Sequence, residues 1–290
     1  MQRRKLGKTG YEISPVVYGG IVSMDDGQEA SDRYVEYAIE HGINYFDVAP
    51  TYGDAQEKLG NSLKPYRNHI YLDAATCKTN CRLAEDGKKE LEESFDLLHT
   101  DYFDVYQMHG LVSMEELDTA FSKGGVMEIM CKGKEEGVLK KLGITCHNEE
   151  VALEALKRYD FDTVLFPLNW GINLGKKFGT RIAKSAKEKN IGLLGMKTLI
   201  HRAWINEEER IGSDFPKSWC KPISDNVDLG IAAIKYTLSM GADAVVPPGN
   251  FESFSFVVDH IDECLNTPLT EKERALLADE LKKIDGQYFF

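Results

Sequence analysis

Short, almost uninterrupted apolar runs alternate along this chain with longer segments whose apolar positions return every three or four residues. The short runs cover residues 13–20, 44–48, 70–76, 102–108, 140–144, 163–167, 192–196 and 244–246. Continuous rather than alternating apolarity marks strands covered on both faces, as in parallel sheets. Helical periodicity follows in 29–41, 55–63, 83–98, 124–136, 149–158, 178–189, 226–239, 251–261 and 270–285. Gly42 is a stop for the first helix and Asn148 an N-cap for the helix ending at Arg158. Residues 197–222 show little periodicity and read as a long insertion, a length usually kept for function. Strand–helix alternation with no internal repeat or low-complexity linker predicts one α/β domain over 1–290. A doubly wound sheet would want a GxGxxG after its first strand, which Gly19-Gly20-Ile21-Val22 does not provide. A (β/α)8 barrel is therefore the expected fold.

Chemistry gathers at one end of the strands. The run 44–48 carries Asp47 at its end, and Tyr52 follows in a turn flanked by Pro50 and Gly53. The next strand leads to Lys78, and the one after it to His109-Gly110. Strands with functional groups at the same end describe the catalytic face of a barrel. A buried carboxylate needs a partner, and Lys78 is the candidate. Taken singly, each residue also has a plain reading: packing for Tyr52, a satisfied rim imidazole for His109, a structural ion pair for Asp47 and Lys78.

Together they carry a resemblance. Asp47-Val48-Ala49-Pro50-Thr51-Tyr52-Gly53, then a strand ending near Lys78, then one ending in His109, resembles the aldo-keto reductases. Residues 4–14 also resemble that family's N-terminal hairpin, and the likeness runs to about residue 260. It implies a barrel with an N-terminal hairpin and a C-terminal outer helix. It further implies an NAD(P)(H)-dependent oxidoreductase acting on an aldehyde, a ketone or the matching alcohol. Asp47, Tyr52, Lys78 and His109 match the family's catalytic tetrad. A free phenol titrates near pH ~10, so Tyr52 needs the Lys78 cation to become a useful acid. Asp47 would hold Lys78, and His109 would polarise the carbonyl oxygen. Hydride must come from a nicotinamide.

The same resemblance places nucleotide contacts at Gly20, Ile21 and Asp47, at Thr145 and Asn169, and at Met196, Lys197 and Thr198. It places the adenosine end at Gly249, Asn250 and Ser253, and substrate contacts at Tyr52, His109 and Trp170. The chain departs from the pattern in places: Leu165 stands where a Gln is common, Thr145-Cys146-His147 where Ser-Asn is common, and Met196 where many members have Tyr. Residues 241–271 contain no Lys or Arg for a 2'-phosphate. NADP(H) is thus the family default, with NAD(H) credible, and Lys197 or Arg202 the cations to compensate.

Composition narrows the rest. The net charge of -12 disfavours nucleic acid and anionic membranes as partners. No apolar run approaches the ~18 residues of a membrane span, and the N-terminus lacks an apolar signal core. A cytoplasmic protein with a small-molecule carbonyl or alcohol substrate is expected, without a metal. The six cysteines form no disulfide framework; Cys77 and Cys146 fall near the active face, where packing and a redox or metal role are both open. Two other functions remain open: a cofactor-binding regulatory subunit with little turnover, and a lyase or isomerase using Lys78 as a Schiff base.

Overall fold

The computed structural model describes residues 1–76 and 82–289, so Cys77, Lys78 and Cys81 lie outside the described residues. The chain opens with an antiparallel hairpin of β1 (Arg4–Lys5) and β2 (Glu12–Ile13). Then follow β3 (Tyr18–Gly19), α1 (Gln28–Glu40), β4 (Tyr45–Val48), α2 (Ala55–Leu63), β5 (Tyr71–Thr76) and α3 (Ala84–Leu97). The middle holds β6 (Phe103–Leu111), α4 (Met114–Phe121), α5 (Val126–Glu136), β7 (Leu139–Cys146), α6 (Glu149–Arg158) and β8 (Thr163–Pro167). Next come α7 (Trp170–Lys176), α8 (Thr180–Lys189), β9 (Gly192–Met196), β10 (Ile200–Arg202), α9 (Glu207–Ile211) and β11 (Lys221–Pro222). The chain ends in α10 (Val227–Ser239), β12 (Ala244–Val246), α11 (Phe251–Asn266) and α12 (Glu271–Lys283).

Among the described residues, eight strands form one parallel sheet in the order β12-β9-β8-β7-β6-β5-β4-β3. A parallel bridge between Val16 and Val245 joins its two edges, so the sheet is a (β/α)8 barrel. The run 13–20 is not one strand, as expected, but two pieces. Pro15 has no N–H to donate, and its carbonyl instead accepts from Val245 N at 2.9 Å, closing the barrel.

Side chains inside the barrel (Val17, Tyr45, Val105, Leu165 and Leu194) pack on Leu6 and Ile13 of the hairpin. The hairpin is the barrel's floor: a Cβ at Gly192 would lie 2.6 Å from Leu6 Cδ1, so only glycine admits that leucine. Outside the barrel, Phe46, Phe103 and Phe166 are fully buried in the larger core shared with the helices. Each such ring contributes roughly 2–3 kcal/mol by leaving water.

Among the described residues three helices, α4, α7 and the short α9, were not expected. Ser113 caps α4 by accepting from Glu116 N, and Asn169 caps α7 by accepting from Ile172 N. The expected cap at Asn148 is present, accepting from Glu150 N and Val151 N. The insertion contains the β10–β11 hairpin and the five-residue α9. Ion pairs of Glu209 with Arg202 (2.5 Å) and Lys221 (2.9 Å) hold it together, not an apolar stripe, which is why it showed no period. Among the described residues no helix is long and apolar enough to cross a membrane.

Candidate active site

β4 delivers Asp47 to the carboxyl end of the barrel, where it is buried at the base of a cleft of about 350 Å3. Burial pushes its carboxyl above the usual range. Tyr52 follows in a tight turn, its N–H donating to Ala49 O at 3.1 Å, and it lines the same cleft. Its phenol is pushed up by burial and then by the charges of Asp47 and Asp73.

His109 comes from β6. The register of β6 on β7 shifts between Met108 and Leu111, and Gly110 adopts φ +59°. Such an irregularity re-aims a side chain at a strand end. The turn is fastened by Gly110 N donating to Thr145 Oγ1 at 2.7 Å. Arg82, itself buried, donates to His109 O at 2.7 Å and to Glu116 at 3.1 Å. The imidazole is lowered to about 4 by burial and then by the Arg82 charge, so it is neutral near pH 7. His109 Nδ1 is buried and has no hydrogen-bond partner among the described residues. The Tyr52 and His109 rings meet edge to face, centroids 5.9 Å apart. Asp47, Tyr52 and His109 are thus brought together; Lys78 lies outside the described residues.

The expected nucleotide contacts divide. Ile21, Thr145, Met196, Lys197 and Gly249 line the cleft beside Leu165, Val246 and Pro248. Gly249 is seated on Ile21; a Cβ there would come 2.2 Å from Ile21 Cγ2. Asn169 and Asn250 spend their Oδ1 on capping α7 and α11, and each leaves a buried Nδ2 without a partner among the described residues. Ser253 donates its backbone N–H to Asn250 Oδ1, while Gly20 is buried against Val48. Thr198 is turned away from the cleft, its hydroxyl donating to Gly195 O at 3.1 Å.

Lys197 sits at φ +66° with its Nζ 4.3 Å from the Phe289 ring centroid. Burial lowers its ammonium to about 7. Arg202 is committed to Glu209. Lys217 instead lines a second cavity of about 380 Å3 with Asn250, Phe251 and Glu252 at the start of α11, and with Tyr34 and Asp26.

Trp170 is the clearest correction. It is fully buried among Ile223, Leu229 and Ala232, and its Nε1 donates to Ile200 O at 2.9 Å. The first residue of α7 faces the neighbouring helices, not the cleft. The tryptophan that lines the cleft is Trp219 of the insertion, with Ser218 and Cys220 beside it. His147 also lines the cleft, its imidazole held far down by burial and by Lys197 and His109. His147 stands just beyond a strand end, the same signal that marked His109. Trp219 lies in the insertion that the sequence marked as functional by its length, without singling out that residue, while nothing in the sequence marked Phe289. Cys146 donates to Leu111 O and Asn148 O, a packing role, and burial raises its thiol to about 12. Among the described residues no group of three or more His, Cys, Asp or Glu is placed to hold a metal ion.

Chemically, the site offers a phenol, a neutral imidazole and a carboxyl at the base of a mainly apolar cleft, an arrangement suited to proton delivery onto a polarised oxygen. The family model described as "Aldo/keto reductase family" matches residues 19–246. Among curated proteins, "Uncharacterized oxidoreductase YqkF" of Bacillus subtilis is 28% identical over 177 residues, 57% of this chain and 55% of that protein. L-galactose dehydrogenase of Arabidopsis thaliana is 29% identical over 188 residues, 60% of this chain and 58% of that protein. The chain therefore spans little more than half the length of the curated relatives it matches. Among solved structures, an aldo-keto reductase from Bacillus halodurans in its holo form superposes with a TM-score of 0.72 at 20% identity, covering 97% of this chain and 96% of that one. An aldo/keto reductase from Brucella melitensis gives 0.68 at 16% identity, covering 97% and 100%. At these identities the superpositions speak for the barrel alone.

Proposed function

The chain belongs to the aldo/keto reductase family, and on that premise we propose that it reduces a small aldehyde or ketone, or oxidises the alcohol, with NAD(P)(H). The observation that supports this most is the convergence of Tyr52, His109 and Asp47 from separate loops and strands at the base of one cleft. Tyr52 is the proton donor to the carbonyl oxygen. His109, neutral because burial keeps it so, donates a hydrogen bond that positions and polarises that oxygen. The described surroundings all push the Tyr52 phenol up, so its activation rests on a cation, and Lys78 is the one the family resemblance supplies.

The cleft suits a nicotinamide nucleotide. Met196, Leu165 and Ile21 offer apolar wall for a flat ring, and the buried Nδ2 of Asn169, without a partner among the described residues, is a donor for a carboxamide oxygen. Lys197 stands on the cleft wall, where an anionic ligand would favour its charged form, and Asn250, beside the second cavity at the start of α11, keeps a buried Nδ2 with no partner among the described residues. A bound nicotinamide supplies the hydride that no side chain can. The substrate lies toward Trp219, His147 and Phe289. The test is turnover of a panel of aldehydes, ketones and alcohols with each nucleotide. Nucleotide binding without turnover of any carbonyl would favour a regulatory role instead.

A further inference from the structure

The imidazole that the proposed reaction needs is carried on a stretch of backbone where the barrel's own ladder is interrupted. Met108 pairs with Ile144 and Leu111 with Cys146, so His109 and Gly110 of β6 stand opposite the single Thr145 of β7. Two residues against one is a bulge, and a bulge disrupts the ladder around it. Gly110 N accordingly donates to a side chain, Thr145 Oγ1, at 2.7 Å. The ring has little to fix it from its own side. Its Nδ1 is buried without a partner among the described residues, and the Tyr52 ring meets it only edge to face. Where the imidazole points is therefore set by how its backbone is held.

Arg82 reaches that backbone from the neighbouring segment ahead of α3. Its own place in the chain is fixed by Val126 N, which donates to Arg82 O at 2.8 Å, and by the bridge between Leu83 and Gly125. Its side chain is buried, and one guanidinium nitrogen, Nη2, donates both to His109 O at 2.7 Å and to Glu116 Oε2 at 3.1 Å. Glu116 approaches from the other side. It stands in the first turn of α4, its N–H donating to the capping Ser113 Oγ at 3.1 Å. The same Oε2 accepts from Val112 N at 3.3 Å. Arg82 and Glu116 thus grip the chain on both sides of the bulge, at the His109 carbonyl and at the Val112 amide. Both His109 and Val112 line the cleft. A buried ion pair is a poor device for stability alone, because apolar residues of similar volume often serve as well. Apolar residues offer no donor to a carbonyl and no acceptor to an amide, and charge-assisted bonds of this kind are the strong ones. The Arg82 charge also acts on the ring directly, helping to keep it neutral.

We propose that Arg82, backed by Glu116, is a positioning residue for the reaction: it fixes the backbone of the bulge and so aims the His109 imidazole into the cleft. The effect on turnover rests on His109 belonging to the reaction centre. The effect on the imidazole does not.

Arg82→Met combined with Glu116→Gln removes both charges at once, since removing one alone would leave the other buried and unpaired. This double variant is expected to lose about tenfold or more in kcat, with KM and nucleotide affinity within about threefold of wild type, because small misplacements at a reaction centre are costly. The same two changes made on top of His109→Ala are expected to cost less than about twofold further, since residues that act through one another are not additive. A loss of equal size in both backgrounds would mean that the pair serves packing alone. Full activity in the double variant would mean that His109 needs no such anchor. Either result overturns the proposal. If the double variant does not fold, Arg82→Lys is read in the same two backgrounds. An ammonium lacks the rigid planar geometry of the guanidinium, so about threefold or more of kcat is expected to go with His109 present and almost none without it. Unchanged turnover with His109 present, or an equal loss without it, again overturns the proposal. Imidazole NMR supplies a reading that needs no turnover. The His109 signals, identified by their loss in His109→Ala, are expected to move in the Arg82 variant, while those of His41 at the end of α1 and His260 in α11 stay. Unmoved His109 signals overturn the proposal. A protein that reduced no carbonyl would refute the proposed function, and the spectra would still decide whether Arg82 aims the imidazole.

Discussion

Lys217 on the insertion and Asp26 beyond β3 are joined at 2.5 Å, and the same ammonium donates to the carbonyls of Val22 and Met24 at 3.0 Å each. The bond ties together two walls of the cleft, one built around Ile21 and the other around Ser218, Trp219 and Cys220. It also sets a positive charge beside the start of α11, where residues 241–271 supply none.

Nucleotide choice follows from that placement. Lys217 is already shared among three acceptors, and Asp26 and Glu252 line the same cavity. Charge-assisted bonds to a 2'-phosphate are therefore diluted. The affinity preference for NADPH over NADH is expected to stay below about 100-fold, or ~2.7 kcal/mol. Lys217→Met should weaken NADPH more than NADH. Fluorescence titration with both reduced nucleotides checks this; a thousandfold NADPH preference untouched by Lys217→Met would remove Lys217 from the account.

Tyr52→Phe removes one hydroxyl from the cleft and leaves the turn's backbone bonds intact. The fold and nucleotide affinity should survive while turnover falls ~100-fold or more. Activity within about threefold of wild type would mean another group donates the proton.

His109 should act as a neutral donor across the ordinary pH range. Its imidazole sits at about 4 in the folded protein against 6.5 unperturbed. The sign is that of a depressed group: its contribution to stability is complete above ~6.5 and is lost as pH falls toward ~4, by up to ~1.4 kcal/mol per unit. His109→Gln is expected to lower kcat without moving the acid limb of the pH profile. Its stability should also converge with that of wild type as pH drops. An acid limb near 6.5 that vanishes in the variant would show that His109 titrates there. The neutral donor also favours ketones over conjugated C=C bonds. Enone reduction with no carbonyl activity would contradict that.

The two tryptophans should separate cleanly. Trp170→Phe leaves Ile200 O without its buried donor and should cost ~1–3 kcal/mol of stability with the substrate profile unchanged. Trp219 is 53% exposed, so Trp219→Ala should raise KM several-fold and leave the melting temperature almost where it was. Melting curves and KM measured side by side on both variants decide it; the opposite pattern would put Trp170 back at the substrate.

Much of this molecule was legible in the chain because its barrel strands are short runs buried on both faces. That pattern is local, and it carries the strand ends with it. Asp47 and His109 therefore stood out as polar groups where apolar runs stop, and the Asn148 cap could be read from one helix boundary. The division of 13–20 at Pro15 was also visible in principle, since a residue without an N–H cannot continue a ladder. What the sequence could not decide was which side chains meet across long separations. Trp170 and Trp219 look alike as composition, and only the packing of α7 sends one into the core while the insertion brings the other to the cleft. Residues 197–222 are held by Glu209's ion pairs and by Lys217's reach to the far wall, none of which has a period. Asp73 lay inside an apolar run as an unexplained charge. Its partners are decided only once the barrel closes and sets it against Asp47, with Gln107 between them.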